Sequence, residues 1–332
     1  MEVFFLTYYH SFQCLAGSCP DSCCKEWTVD VDPKAAAFYR QLDGALGDRL
    51  RQVLTDTPEG TVMEIENGRC PMWRDDGLCR IQAELNHDAL CKTCRDFPRL
   101  THDYGDFLEL GLELSCPEAA RLILTSPGGF LVQAQPGGSE PEYEQDVMAL
   151  LRQSRKEALT FLRTVESIPH ALAAILLYAH DVQAALDCGE SVISTPESCL
   201  CALDAYRGDG DLNAIFAFFR GLEILTPQWK ARLDATPADI AWCEALRNLA
   251  RYLFERYWLQ AVSDYDLLCR VKLAVTACLL VGALGGNVID TAQLFSKEIE
   301  NDPDNVEAIL DGAYTAPALT DANLLSLLTK GA

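Results

Sequence analysis

Cysteine residues are concentrated near the start of the chain, where their number and spacing could support metal chemistry. The sequence of 332 residues contains 15 cysteines. Nine of them fall in the first 116 residues: Cys14, Cys19, Cys23, Cys24, Cys70, Cys79, Cys91, Cys94 and Cys116. Thiolates this close repel one another and oxidise readily unless a soft cation, either Zn²⁺ or the iron of a cluster, neutralises them. The sequence therefore predicts a metal site for which all nine cysteines are candidate ligands.

The spacing of these cysteines favours an iron–sulfur cluster over zinc. Cys91 and Cys94 are two residues apart, so both sulfurs can reach one metal or one cluster. Zinc sites usually take four ligands from regular pairs of this kind, whereas the other spacings here are irregular. Adjacent Cys23 and Cys24 point in different directions, so we do not expect both to serve one site. The pattern fits one [4Fe–4S] cluster with spare thiols, or two metal sites, with zinc as the alternative metal.

Other cysteine chemistries have weaker support in the sequence. The Cys-x3-Cys-x2-Cys pattern common in radical enzymes would need a cysteine at position 26, which is Glu26. There is no glycine-rich dinucleotide fingerprint, no P-loop and no signature of a Cys/His enzyme. The six later cysteines fall mostly in apolar helical patterns, as buried free thiols commonly do: Cys188, Cys199, Cys201, Cys243, Cys269 and Cys278. We do not expect these six to bind metal.

The charge and hydropathy of the chain restrict its location and partners. The formal net charge of −22 disfavours binding to nucleic acids and to anionic membrane surfaces. The first residues lack the basic segment of a secretion signal, and residues 273–283 are too short an apolar run to span a bilayer. We therefore expect a cytoplasmic protein with no nucleic-acid or membrane partner, in which structural disulfides would be unusual.

The pattern of apolar residues along the chain predicts a mainly α fold to position these cysteines. Residues 1–125 form an irregular cysteine-rich metal-binding module, residues 126–141 a Gly/Pro-rich linker, and residues 142–332 an α-helical bundle. Within the module we expect helices over 34–54 and 117–124 and strands over 61–65 and 108–114. In the bundle, apolar periodicity predicts helices over 147–165, 168–186, 212–224, 237–262 and 265–284. The aromatic stripe at residues 252–258 is expected to pack in the core.

Several sequence blocks in residues 5–124 resemble the flagellin lysine-N-methylase family. They are Tyr-Tyr-His-Ser-Phe-Gln-Cys at 8–14, Cys-Pro-Asp-Ser-Cys-Cys-Lys-Glu-Trp at 19–27, Gly-Arg-Cys-Pro at 68–71, Gly-Leu-Cys-Arg-Ile at 77–81, Cys-Arg-Asp-Phe-Pro-Arg at 94–99 and Ser-Cys-Pro-Glu-Ala-Ala-Arg at 115–121. Some of these blocks also look like the broader family of zinc- or iron-chelating cysteine domains. The later helical region resembles the family only loosely.

This resemblance implies methyl transfer from S-adenosylmethionine to lysine ε-amino groups of flagellin, or of another lysine-containing protein, in an enzyme that holds a [4Fe–4S] cluster. The nine N-terminal cysteines are then the candidate cluster ligands, and Arg95 and Arg99 could donate hydrogen bonds to cluster sulfurs. A non-catalytic zinc- or iron-chelating or redox-sensing module is the alternative. A structural zinc protein that presents the bundle to a partner is a third possibility.

Methylation of lysine requires an unprotonated amine, although the usual lysine pKa is about 10.4. A desolvated pocket or a nearby base must therefore assist the reaction. Candidate groups within the family-like blocks are Tyr8, Tyr9, Asp21, Glu26 and Glu118. Trp27 and Phe97 could stack on a sulfonium or a lysine stem, although packing in the core is the commoner role of such residues.

Overall fold

The computed structural model describes residues 1–206 and 208–330, in which helix is the main secondary structure, at 57%. The strands are β1 Glu2–Leu6, β2 Val29–Val31, β3 Leu54–Thr57, β4 Gly60–Met63, β5 Arg99–Asp103, β6 Phe107–Leu112 and β7 Phe130–Ala134. The helices are α1 Pro33–Gln41, α2 Gly44–Val53, α3 Arg80–Glu84, α4 Lys92–Asp96, α5 Pro117–Thr125, α6 Gln145–Thr164, α7 Ile168–Cys188, α8 Pro196–Leu200, α9 Leu212–Arg220, α10 Pro227–Asp234, α11 Glu244–Tyr257, α12 Leu268–Ala283, α13 Val288–Phe295, α14 Pro303–Thr315 and α15 Asp321–Thr329. The prediction of a mainly α fold is confirmed.

A four-stranded sheet joins distant parts of the chain. Its strand order is β5-β6-β1-β7, with β1 parallel to β6 and antiparallel to β7. Strand β1 places Val3 and Phe5 on a buried face, as expected for side chains that alternate across a sheet. A second, three-stranded sheet has the order β2-β4-β3. The sequence predicted only two of these seven strands.

The buried apolar side chains of the described residues form two separate hydrophobic cores. The larger core combines side chains of β1, β6 and α5 with those of the later helices. The smaller core lies entirely between positions 29 and 91, and it includes the thiols of Cys70 and Cys91. The cysteine-rich loops are therefore built around their own small core, which is inserted in sequence between β1 and β5.

Several boundaries differ from the sequence-based expectation. The helix expected over 34–54 breaks at Leu42 and Asp43 into α1 and α2. The segment 237–243 is not helical, so α11 begins only at Glu244. The expected linker 126–141 contains β7, which pairs with β1 through five residues on each strand. This segment is thus part of the sheet, and the division of the chain into domains at this point stays a prediction.

The later helices form a densely packed bundle. Helix α12 is buried on nearly all sides, and the aromatic stripe Tyr252, Phe254, Tyr257 and Trp258 lies in the core as expected. Helix α7 has the length and composition of a membrane span. However, 61% of its most apolar window is buried against the rest of the protein, as in the core helix of a soluble domain.

A buried ion pair fastens the sheet to the bundle. Glu109 on β6 and Arg155 on α6 are 5% and 7% exposed, and both oxygens of the carboxylate accept hydrogen bonds from the guanidinium, one of them at 2.8 Å. Arg155 also donates to the backbone carbonyl of Glu255 on α11. Such a bidentate pair is strong, but its burial means that each charge depends on the other.

Asp32 connects two helices that flank the small core. One carboxylate oxygen accepts the amide of Ala35 at the start of α1, at 3.1 Å. The other accepts the amide of Lys92 at the start of α4, at 2.7 Å. One side chain therefore caps two helix N-termini that are 60 residues apart in sequence. Because α4 carries Cys94, this contact helps to place the Cys91–Cys94 pair.

We expect Glu109→Gln to lower the free energy of unfolding by about 3–5 kcal/mol, because Arg155 would be left buried without a counter-charge. Urea unfolding followed by circular dichroism measures this change. The control is Glu2→Gln, an exposed substitution in the same sheet. Similar unfolding midpoints for the two variants would contradict the role assigned to the ion pair.

Replacement of Asp32 by Ala should destabilise the cysteine-rich region by about 1–2 kcal/mol, because two helices lose their caps. Trp27 and Trp73 lie in this region, so urea unfolding monitored by tryptophan fluorescence can detect the loss. Asp30→Ala, on the exposed side of β2, is the matched control. If Asp30→Ala is as destabilising as Asp32→Ala, the capping explanation is wrong.

Candidate functional site

Two loops bring three N-terminal cysteines into contact. The segment 23–26 runs beside the segment 68–70, where the amide of Cys70 donates to the carbonyl of Cys24 at 2.7 Å. The Cys24 thiol is close enough to Cys23 and Cys70 for the three groups to perturb one another. Their proximity lowers the pKa of Cys23 and of Cys70, and it raises the pKa of Cys24.

A second thiol pair lies beside these three. The Cys91 and Cys94 thiols lie close together, and their proximity lowers the pKa of Cys91 and raises that of Cys94. The two groups of thiols influence each other electrostatically. Cys91 affects the pKa of Cys70, and both Cys23 and Cys70 affect the pKa of Cys94. Five thiols from three separate segments thus form one neighbourhood, which we call the thiol cluster: Cys23, Cys24, Cys70, Cys91 and Cys94.

The remaining candidate ligands surround this cluster. Cys79 lies close enough to Cys70 and Cys23 for their charges to raise its pKa, although burial is the larger cause. Burial also raises the pKa of Cys116 to about 12, with smaller contributions from Cys19 and Cys23. Cys19 is influenced in turn by Cys14. Each of the nine predicted ligands therefore lies near at least one other, with Cys14 related to the rest through Cys19.

Three of these cysteines occupy helix N-caps. Cys79, Cys91 and Cys116 immediately precede α3, α4 and α5. The free amides of a helix's first turn favour a negative charge at this position, as thiolates in metal sites require. Backbone amides in the first turns accordingly oppose the effect of burial on the pKa of Cys79 and Cys116.

The donors near one another are thiols, which suit both zinc and the iron of a cluster. Within residues 1–206 and 208–330, no three Cys, His, Asp or Glu side chains converge closely enough to hold one metal ion. A [4Fe–4S] cluster takes its thiolates at separate corners, so its ligands lie further apart than those of zinc. In addition, the buried indole Nε1 of Trp73 has no hydrogen-bond partner in this part of the chain. Trp73 packs against the small core that holds Cys70 and Cys91, where a cluster sulfur would be a suitable acceptor.

The side chains of Arg95 and Arg99 have partners other than cysteines. Arg95 pairs with its neighbour Asp96, and the guanidinium of Arg99 lies 5.4 Å from the ring centre of Phe12. The amide of Arg95 donates to the carbonyl of Cys91 at 2.9 Å, whereas hydrogen bonds from the two guanidinium groups to cluster sulfurs stay a prediction. The six later cysteines lie apart from the thiol cluster, and Cys278 is completely buried in the bundle.

Asp21 and Glu26 were candidate bases, but both are engaged by a buried lysine. Lys297 is 2% exposed and contacts the carboxylates of Asp21, at 3.0 Å, and Glu26. It lies in a π-helical turn, Ser296–Glu300, that follows α13. Although burial alone would raise the pKa of Asp21, hydrogen bonds from Lys25 and Lys297 keep it below its usual value. This cluster of charges connects the cysteine-bearing loop to the bundle, and a cavity of about 310 Å³ opens beside it.

The other residues of the family-like blocks have local structural partners. Glu118 forms two hydrogen bonds with Arg121, one helical turn later. Trp27 and Phe97 pack against each other with ring centres 6.3 Å apart, and Lys297 lies 5.2 Å from the Trp27 ring. Tyr8 is buried without a partner for its hydroxyl, and burial raises its pKa well above the usual value. Tyr9 is half-buried beside Arg99.

Sequence reasoning missed an open cavity of about 1,050 Å³ between β5, the segment 139–144 and the segment 260–265 that follows α11. We call it the acidic cavity, and its characteristic residues are His102, Asp103, Tyr104, Glu140, Glu142, Tyr143, Glu144 and Tyr265. The carboxylates are exposed. Burial lowers the pKa of His102 to about 4 and raises that of Tyr104, so both side chains are neutral near pH 7. Glu-Pro-Glu-Tyr-Glu at 140–144 was the only sequence signal for this cavity.

Comparison with known proteins identifies relatives among bacterial flagellar proteins. The chain is 30% identical over 129 residues to the flagellar biosynthetic protein FliU of Salmonella muenchen, a match that covers 35% of this chain and 73% of FliU. It is also 30% identical over 129 residues to the lysine-N-methylases of Salmonella typhimurium and Salmonella choleraesuis. The match covers only 31% of the length of those two enzymes.

No protein-family profile and no solved structure matches the chain. The relationship therefore depends on the curated relatives, and it agrees with the cysteine blocks recognised in the sequence. Given its coverage of FliU and its identity with all three relatives, the chain belongs to the flagellin lysine-N-methylase family.

Proposed function

We propose that this protein is a lysine N-methyltransferase that uses S-adenosylmethionine to methylate flagellin and holds a [4Fe–4S] cluster on its N-terminal cysteines. The observation that carries this proposal is the match to proteins named lysine-N-methylase. Because the match spans a minor part of those enzymes, the activity, the methyl donor and the substrate are all part of the proposal.

The thiol cluster provides the candidate ligands. Three separate segments contribute Cys23, Cys70 and the Cys91–Cys94 pair. The small core and the backbone hydrogen bond between Cys70 and Cys24 connect these segments. A cluster bound here would supply either an electron-transfer centre or a covalent link between these loops. Cys24 and Cys79 are close enough to replace one of the four, and Trp73 would donate a hydrogen bond to the bound group.

The acidic cavity is the best candidate entrance for a substrate lysine. Exposed carboxylates such as Glu142 and Glu144 attract a lysine ammonium at the rim, and the ring of Tyr104 offers a cation–π surface. The neutral, desolvated His102 and Tyr104 favour the uncharged amine further in. The amine nitrogen would then form a bond to the methyl carbon as the carbon–sulfur bond breaks, and its remaining excess proton would pass to solvent.

We expect anaerobically purified protein to contain about four irons and four labile sulfides per chain, as in four-cysteine cluster sites. Iron, sulfide and zinc analysis of one sample tests this. Cys70→Ser and Cys91→Ser should each lose most of the iron, because each removes a candidate ligand. Cys201→Ser, an exposed cysteine in the bundle, should retain it.

Two results would contradict the cluster proposal. One is a protein that contains zinc without sulfide and keeps full activity. The other is equal iron loss in Cys201→Ser and Cys70→Ser, which would indicate a general effect of cysteine substitution rather than loss of a ligand.

Substitution at the rim of the acidic cavity should weaken substrate binding. We expect the double variant Glu142→Gln/Glu144→Gln to raise the KM for flagellin about three- to tenfold with little change in kcat, since rim charges mainly guide association. Transfer of labelled methyl groups, with mass spectrometry of the modified lysines, gives both constants. Glu307→Gln, an exposed residue of α14, is the control.

An unchanged KM in the double variant would move the substrate site away from this cavity. An absence of S-adenosylmethionine binding by calorimetry would contradict the methyltransferase proposal as a whole. It would favour the second candidate, a metal-chelating or redox-sensing module, which is consistent with the short match to the methylases.

A further inference from the structure

Positively charged side chains line a cavity of about 340 Å³, although the protein as a whole is strongly acidic. The cavity lies between α6, α11 and the segment 127–130 that leads into β7. Five cations line it, namely Arg152, Arg155, Lys156, Arg163 and Arg251, together with the carboxylates of Glu109 and Glu255. With these groups in their usual forms the lining has three net positive charges, whereas the chain has a net charge of −22. We call it the basic cavity.

Helix α6 presents three of these cations without counter-charges. Arg152, Lys156 and Arg163 are four and then seven residues apart, so they share one face of the helix. None of them forms an ion pair with a carboxylate within residues 1–206 and 208–330, unlike Arg155 with Glu109. A surface this rich in acidic residues could have neutralised them, so their isolation leaves them available to an external anion.

Arg251 provides an independent indication of a ligand. It is only 7% exposed and lines the cavity, yet its Nε and Nη1 atoms have no hydrogen-bond partner in the described residues. Nη2 donates to the carbonyl of Ile123 at 2.6 Å, which fixes the guanidinium in place. Its nearest carboxylate, Glu255, is 3.6 Å from Nη1. Nη1 thus keeps an ion pair with Glu255, whereas Nε is a buried donor without a partner in the described residues, which is costly unless a bound group satisfies it.

Gly128 allows the guanidinium to occupy this position. A Cβ atom at residue 128 would lie 1.8 Å from Nη1 of Arg251, and the φ angle of +75° also favours glycine. The apolar part of the lining consists of Phe4, Phe130 and Leu159, with Arg152 lying 5.1 Å from the ring centre of Phe4 and Arg155 5.3 Å from that of Phe130. The cavity therefore combines a cationic end with room for an uncharged body.

We propose that the basic cavity binds a small phosphate ester. The net charge of the lining suits a dianion, and guanidinium groups match phosphate oxygens in geometry. S-adenosylmethionine has a sulfonium and an ammonium for its single carboxylate, so its net charge suits this lining less well than that of a phosphate ester. The volume lies at the lower end for small-molecule sites, which fits a mononucleotide-sized ligand rather than a polymer. This proposal does not depend on the methyltransferase activity.

Isothermal titration calorimetry of the full chain tests this inference, with adenosine 5′-monophosphate, inorganic phosphate and adenosine as probes. We expect the monophosphate to bind and adenosine not to bind. Lys156→Gln and Arg163→Gln should each weaken binding roughly fivefold or more, because a charge-assisted contact to phosphate is lost. Both residues are exposed, so folding should be preserved. Arg220→Gln, an exposed cation on α9, should leave the affinity unchanged.

Three outcomes would overturn the proposal. They are no binding of the monophosphate or of inorganic phosphate at millimolar concentration, equal weakening in Arg220→Gln and Lys156→Gln, and tighter binding of a short single-stranded oligonucleotide than of the mononucleotide. The first would exclude a phosphate site, the second would indicate general charge attraction, and the third would assign the surface to nucleic acid.

Discussion

The buried pair of Glu109 and Arg155 is the interaction on which the arrangement of the molecule depends. It joins a central strand of the sheet to the first helix of the bundle, and through the carbonyl of Glu255 it also reaches α11. Helix α11 in turn contacts α5, because Asn248 and Arg251 donate to backbone carbonyls at the end of that helix. The Glu109–Arg155 pair, with the hydrogen bond to the carbonyl of Glu255, thus fixes β6, α6 and α11 relative to one another. Apolar packing alone would permit several alignments of these three elements. The basic cavity described above is bounded by these same elements.

The cysteine-rich loops depend on this framework at a few defined points. Their small core separates them from the main core, so their position relative to the bundle is set by polar contacts such as Lys297 with Asp21 and Glu26. Lysine buried this deeply is stable as a cation only because two carboxylates come from the loop. The same loop carries Cys19, Cys23 and Cys24. Any change that moves those thiols must therefore be transmitted to the π-helical turn that contains Lys297.

Local sequence patterns predicted the helical bundle and the candidate ligands, but not the contacts that organise them. Periodicity located α6, α7 and α12 within a few residues, because their apolar faces span several turns. The cysteine blocks indicated a common metal site, and that site stays a prediction. Strands β1 and β7 were missed because they are short. Each is stabilised by pairing with the other, which lies more than 120 residues away in the sequence. The roles of Lys297, Arg251 and His102 depend on such distant contacts and leave no local pattern. For the same reason Asp21 and Glu26 looked available as bases in the sequence.

The position of β1 within the sheet has a consequence for synthesis. Its two partners, β6 and β7, lie about a hundred residues later in the chain. At typical rates of translation those partners emerge roughly 5–20 s after β1 does. During that interval β1 has two unpaired edges, and cysteines 14 to 94 emerge before the sheet can close. The nascent chain therefore exposes these thiols before the sheet is complete. The rate at which the segment between β1 and β7 is translated would affect the yield of folded protein.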